Sequence, residues 1–327
     1  MSVTFSGGIT FTGGGFSFSA APPSQATAGW YAGAGGGPTF GPSAVNRITF
    51  ATDTNTASVR GPLDGNRYFQ GAAGNLTYGW YAGTRITTAQ SVVSRITFAT
   101  DTATASSRGP LSYSTYQLTA TGTDTDGWFA GGATEVPATY STVSRITYAT
   151  DTATATTKGP LAISVNQLAA STDGTTYGWY GGGVDSATGN TSKVSRITYA
   201  NDTTTASLRG PLSQLRIKLA ATGTSSYGWF ASGQNGGSYY SLVDRIDYAN
   251  DTATASVRGP LNIAIFGCAA STDNTTYGWF GGGYTGIAPG YVSSVNRITY
   301  ATDTATATAR GPLARTVYLL AATSGIQ

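Results

Sequence analysis

Apolar and small polar residues alternate along most of the chain, and the alternation is broken at regular places by glycine, proline and Thr/Asp clusters. In Arg196-Ile197-Thr198-Tyr199, Ile and Tyr point one way and Arg and Thr the other, the period of a half-buried strand. The Thr- and Asp-rich centre that follows such segments, ATDTAT, reads as a reversing turn. A second alternating run, TASVRGPL, ends at Gly-Pro. Then come a short apolar run (Leu168-Ala169-Ala170), a small turn (STDGTT) and an aromatic strand closing in glycines (YGWYGGG). This predicts four short strands and no helix, since no sustained helical period occurs and Gly and Thr are dense throughout.

The four-strand pattern recurs six times. A Gly-Trp pair ends at Trp30, Trp80, Trp128, Trp179, Trp229 and Trp279, and an Arg-Ile pair begins at Arg47, Arg95, Arg145, Arg196, Arg245 and Arg297. Within each unit, six positions separate that Arg from an Asp (Asp53, Asp101, Asp151, Asp202, Asp251, Asp303). Seven more lead to a second basic residue (Arg60, Arg108, Lys158, Arg209, Arg258, Arg310). A stretch that never gains or loses a residue is paired backbone around a fixed turn. From Trp to the next Arg the step varies between 15 and 18, as in an exposed loop.

At these residues the pattern resembles a kelch-type β-propeller, with its small-residue strand, aromatic strand ending in a glycine doublet, variable loop, third strand and outermost strand. QLAAST, YGWYGGG, SRITYAT and TATTKGPL occupy those places, and the doublet stands at Gly131-Gly132 and Gly181-Gly182. It weakens to Ala32-Gly33 and Ala82-Gly83, and Ala or Thr replaces the tryptophan usual near the start of the outermost kelch strand. The resemblance implies a six-bladed all-β propeller over residues 26–327. The first unit starts at its aromatic strand and the chain ends in an unpaired small-residue strand, Val317 to Ala322, so the C-terminal strand is expected to complete the first blade.

Composition removes whole classes of chemistry. The 327 residues include 45 glycines and no histidine, which excludes imidazole bases, Ser-His-Asp catalysis and ordinary zinc or copper sites. The copper activity of galactose oxidase, which also has kelch repeats, is therefore not carried over. One cysteine, Cys268, permits no internal disulfide and reads as a small residue of an inner strand. The formal charge is +3, but twelve of the 18 basic residues sit at the two repeated positions, so the scaffold accounts for them without a nucleic-acid partner. No segment reaches the length of an apolar membrane span, and Met1 to Ala20 lacks the basic residues of an export signal.

The six tryptophans are expected to pack between blades, and the Arg-Asp-Arg set to form cross-strand pairs with the Asp capping its own turn. Asp124 and Asp126 read as a polar turn, not a calcium loop, and no cofactor or metal is expected. No carboxylate pair is marked out for acid-base work; Glu135, the only glutamate, and Asp185 carry the one enzymatic alternative, glycan hydrolysis. Recognition is expected on the variable loops, at Phe40, Arg85, Tyr140, Asp185, Asn190, Gln234, Asn235, Tyr239, Tyr240, Tyr284 and Tyr291, a palette of Tyr, Asn and Gln suited to adaptable contacts.

Residues 1–25 lie outside the repeats and alternate Val3, Phe5, Ile9, Phe11, Phe16 and Phe18 with small polar residues. They read as an arm that adds a strand to a partner protein or folds back on the rim. That glycine-rich start and the Thr/Ala-rich units also resemble virion structural proteins of tailed marine phages (cyanophages). This implies a non-enzymatic tail or capsid appendage, located in the virion. Its arm would bind other virion proteins and its loops a host-surface glycan. An intracellular protein-interaction scaffold is the alternative.

Overall fold

A computed structural model describes residues 9–12, 15–18, 25–33, 43–135, 138–288 and 290–325. Six four-stranded antiparallel sheets account for the repeats. The third sheet is typical: Thr119–Gly122, Asp126–Ala130, Val143–Thr147 and Thr156–Lys158 pair in sequence order. The first sheet is made from both ends of the chain, because Ala321–Thr323 pairs with Ala28–Ala32, setting Trp30 opposite Thr323. The innermost strands of successive sheets are neighbours in space, and Ala321–Thr323 neighbours both Ala269–Thr272 and Gly71–Gly74, so the ring of inner strands returns to its start. The fold is all-β and of the β-propeller type. Each ATDTAT region tightens into a three-residue 3-10 turn, Phe50–Thr52 in the first unit, and no described helix is long and apolar enough to cross a membrane.

Neighbouring sheets are joined by a seam built from the repeat residues. The Trp80 ring stacks on Tyr148 of the following sheet at 3.7 Å, and its Nε1 donates to Asp151 Oδ2 at 2.8 Å. Arg95 Nη1 donates to the same oxygen at 2.9 Å, and Arg108 Nε lies 3.4 Å away. All six tryptophans stack in this way on an aromatic ring of a neighbouring sheet. The aspartate differs from expectation: it pairs with basic residues of the preceding sheet, because its turn projects across the gap and the buried indole N–H there needs an acceptor. The seam recurs between the sixth and first sheets, where Trp279 stacks on Phe50 at 3.8 Å and Asp53 accepts from Trp279 and Arg297.

The glycine of each Gly-Pro-Leu run lies in the same seam. Gly109 N donates to the Asp151 carbonyl at 2.9 Å, and a Cβ on Gly109 would lie 2.0 Å from the Ala153 carbonyl oxygen. Only a residue without a side chain permits that approach of two backbones.

Of the arm, Ile9–Thr12 and Gly15–Phe18 form an antiparallel hairpin with Phe11 opposite Phe16. Val3 and Phe5 lie outside the described residues.

Candidate functional site

The ring of inner strands encloses an axial channel. At one end it opens into a cavity of about 120 Å³ lined by residues from all six units. Toward the other end, Ala170 and Ala221 also line a second cavity of about 350 Å³, bounded by the small turns that include Asp124, Asp173 and Asp273.

The first opening is rimmed by one residue from each unit: Phe69, Gln117, Gln167, Lys218, Gly267 and Leu319. Each follows the leucine of its Gly-Pro-Leu by six positions. All six are in the left-handed backbone region, with φ between 55° and 66°. Gln117 N donates to the Phe69 carbonyl, Gln167 to Gln117, Lys218 to Gln167, Gly267 to Lys218 and Leu319 to Gly267, over 2.6 to 2.9 Å. This head-to-tail collar holds five non-glycine residues in a conformation costing L-residues roughly 1–2 kcal/mol each. Backbone strain of this kind gathers where geometry serves a function.

The variable loops open on the collar's face. Paired bridges join Tyr116 to Ala133, Ile217 to Gln234 and Phe266 to Tyr284, tying the approach to the collar to the loops. Three of the expected recognition residues, Tyr239, Tyr284 and Tyr291, come together there. Tyr239 stacks on Phe266 at 5.3 Å, and Tyr284 and Tyr291 lie 6.1 and 4.9 Å from Tyr318. Lys218 Nζ sits 4.9 Å over the Phe266 ring, and burial lowers the Lys218 pKa.

The other loop residues are held within or between loops. Asp185 is buried and accepts from Lys193 Nζ at 2.8 Å, Thr188 Oγ1 and Ala187 N. Burial pushes its carboxyl up, but these donors outweigh it and hold it below its ordinary value. Asn190 Nδ2 donates to Asn235 Oδ1 at 2.8 Å, linking the loops of the fourth and fifth sheets. Gln234 pairs with Tyr239 across a two-residue turn, and Tyr240 is half-buried beside it. Tyr140 packs edge-on against Tyr113. Arg85 lies 3.8 Å from Glu135, whose carboxylate also accepts from Ala89 N. Glu135 and Asp185 are thus engaged in loops of different sheets. Phe40 lies outside the described residues.

Asp126 accepts from Thr125 and Thr147, and no cluster of three metal-ligating side chains occurs among the described residues. Cys268 lines the channel, buried, 3.1 Å from Ser232 Oγ; burial pushes its thiol up to about 11.

Sequence reading overlooked the collar and its flanking aromatics Phe266 and Tyr318. Their signal was present: from Leu111 to Gln117, as from Leu313 to Leu319, the length is fixed while the composition changes freely.

A propeller-type ring of sheets with a lined axial channel is the class these features define. The solved structure of YjhT is similar to this chain with a TM-score of 0.66, covering 82% of this chain and 91% of that one at 11% identity, a likeness of fold alone. No family model and no curated protein matches the sequence.

Proposed function

We propose that this protein is a closed, six-bladed, kelch-like propeller acting as a non-enzymatic binding module, and that its loop face contacts a host-surface glycan. The observation carrying this reading is the collar with its adjoining aromatic cluster: one backbone geometry repeated six times and filled with five kinds of residue. Uniform seams call for repeated residues; a rim meant only to close a channel has no need of such variety. Half-buried Tyr284, Tyr291 and Tyr318 offer ring faces and hydroxyls together, the surface sugars stack on and hydrogen-bond to.

The assembly part of the proposal is a virion appendage of a tailed phage, with residues 1–25 holding other virion proteins. Its support is the arm's apolar alternation and the likeness in style to phage structural proteins. Gradient-purified particles should carry the protein at a fixed copy number per particle. Free protein in the lysate with none in particles overturns the virion assignment. Purified protein should bind host envelope, and Tyr239→Ala with Tyr291→Ala should weaken that binding. Absence of envelope binding overturns the recognition reading.

A further inference from the structure

We propose that the collar is a binding site for a carboxylated pyranose, a hexuronic acid unit of an acidic polysaccharide. This rests on the glycan reading of the loop face and names the ligand class and the residues that select it.

The collar is divided. Gln117, Gln167 and Lys218 follow one another on one arc; Leu319 and Phe69 follow one another on the opposite arc; Gly267 leaves a gap beside Lys218. A pyranose is divided in the same way, with a rim of hydroxyls and faces of C–H groups. Its hydroxyls would meet the two amides, and a C–H face would rest on Leu319 and Phe69.

The polar arc is unfinished without a ligand. Gln167 Oε1 is buried with no hydrogen-bond partner, and the amide contact from Gln167 Nε2 to Gln117 Oε1, at 3.5 Å, is too long to be a strong bond. Lys218 is drawn out of water over Phe266, and among the described residues no carboxylate stands within ion-pair distance of it. A half-buried lysine lining the mouth, with its ammonium over an aromatic and no carboxylate in ion-pair reach among the described residues, favours an anionic ligand.

The kind of anion follows from what else is at the mouth. Five successive collar N–H groups, from Gln117 to Leu319, are already donated to neighbouring carbonyls, so they form no nest for a phosphate. One ammonium matches one negative charge, and the neighbouring amides and apolar arc match a sugar ring, not a bare acid.

The test is calorimetric titration of the full chain with glucuronate- or galacturonate-containing oligosaccharides and with their neutral glucose or galactose counterparts. Acidic oligomers should bind at least tenfold more tightly, and Lys218→Met should abolish that preference while Lys218→Arg retains part of it. Gln167→Leu should weaken acidic and neutral oligomers alike. Val257→Ala, exposed on the outermost strand Ser256–Arg258, should leave the binding of both unchanged. Parallel thermal melts separate lost binding from lost fold. Equal binding of acidic and neutral oligomers, a preference that survives Lys218→Met, or binding of both unchanged in Gln167→Leu overturns the proposal. Host-envelope binding that persists in those variants would leave the broader glycan reading standing; its absence in the parent protein would remove that reading first.

Discussion

If the seam between the sixth and first sheets equals the other five, removing its aspartate must cost the same as removing an internal one. Asp53→Ala and Asp151→Ala make that comparison. Each carboxylate is about 5% exposed, accepts a buried Trp Nε1–H at 2.8 Å, and faces two arginines whose side chains are 17% to 19% exposed. Loss of the acceptor strands the indole N–H at roughly 1–3 kcal/mol. Breaking a fully buried ion pair costs roughly 3–5 kcal/mol, and partial exposure of the arginines places this case below that range. The expected loss is therefore about 3 kcal/mol for either variant, or roughly 4 °C in Tm at this chain length. Differential scanning calorimetry of both variants, with chemical denaturation alongside, gives the comparison. The internal aspartate joins residues 56 to 71 positions away, whereas Asp53 joins partners 226 and 244 positions away. A destabilised Asp151→Ala with an unaffected Asp53→Ala would refute closure of the ring.

Two further outcomes test the channel. Gln117→Gly should raise stability by about 0.5–1 kcal/mol, because glycine accepts the φ of 60° found there and Gly267 already fills the equivalent place; a loss of stability would show that the collar is unstrained. The Cys268 thiol, raised to about 11 by burial, should stay almost entirely protonated at pH 8 and react with a maleimide or disulfide reagent only after unfolding. Alkylation as fast as that of a free thiol would show the channel wall to be open to reagents.

The strands were legible because Ile197 and Tyr199, like their equivalents, alternate with Arg196 and Thr198, and period two admits one pleat. The join of the chain ends was legible because Leu320, Ala321 and Ala322 repeat a strand that the first unit lacks. The destination of Asp101 was not: Arg47, Arg60 and Trp30, which it serves, lie in the preceding unit, and spacing within a unit cannot say which neighbour a side chain crosses to. Tyr239, Tyr284 and Tyr291 stood out through their loops, whose lengths vary. Lys218 and Gln167 did not: Gln167 read as the first residue of the small-residue strand QLAAST, and Lys218 stands at the same place in the next unit, just before Leu219-Ala220-Ala221. Left-handed backbone at Phe69 or Leu319 leaves no mark in composition, because these side chains are not the ones that favour it.

The pairing of Ala321–Thr323 with Ala28–Ala32 also sets an order of events during synthesis. The aromatic strand of the first unit is made before the other five units and waits beside an empty edge until Ala321–Thr323 arrives. Five sheets can assemble in turn, but the first cannot be completed until translation has passed Thr323. A transcript cut short, or a ribosome that stalls in the sixth unit, yields a product with an open strand edge and the Tyr31 aromatic unsheltered, the surface that chaperones and proteases recognise. Ring closure thus reports that the strand Ala321–Thr323 has been made.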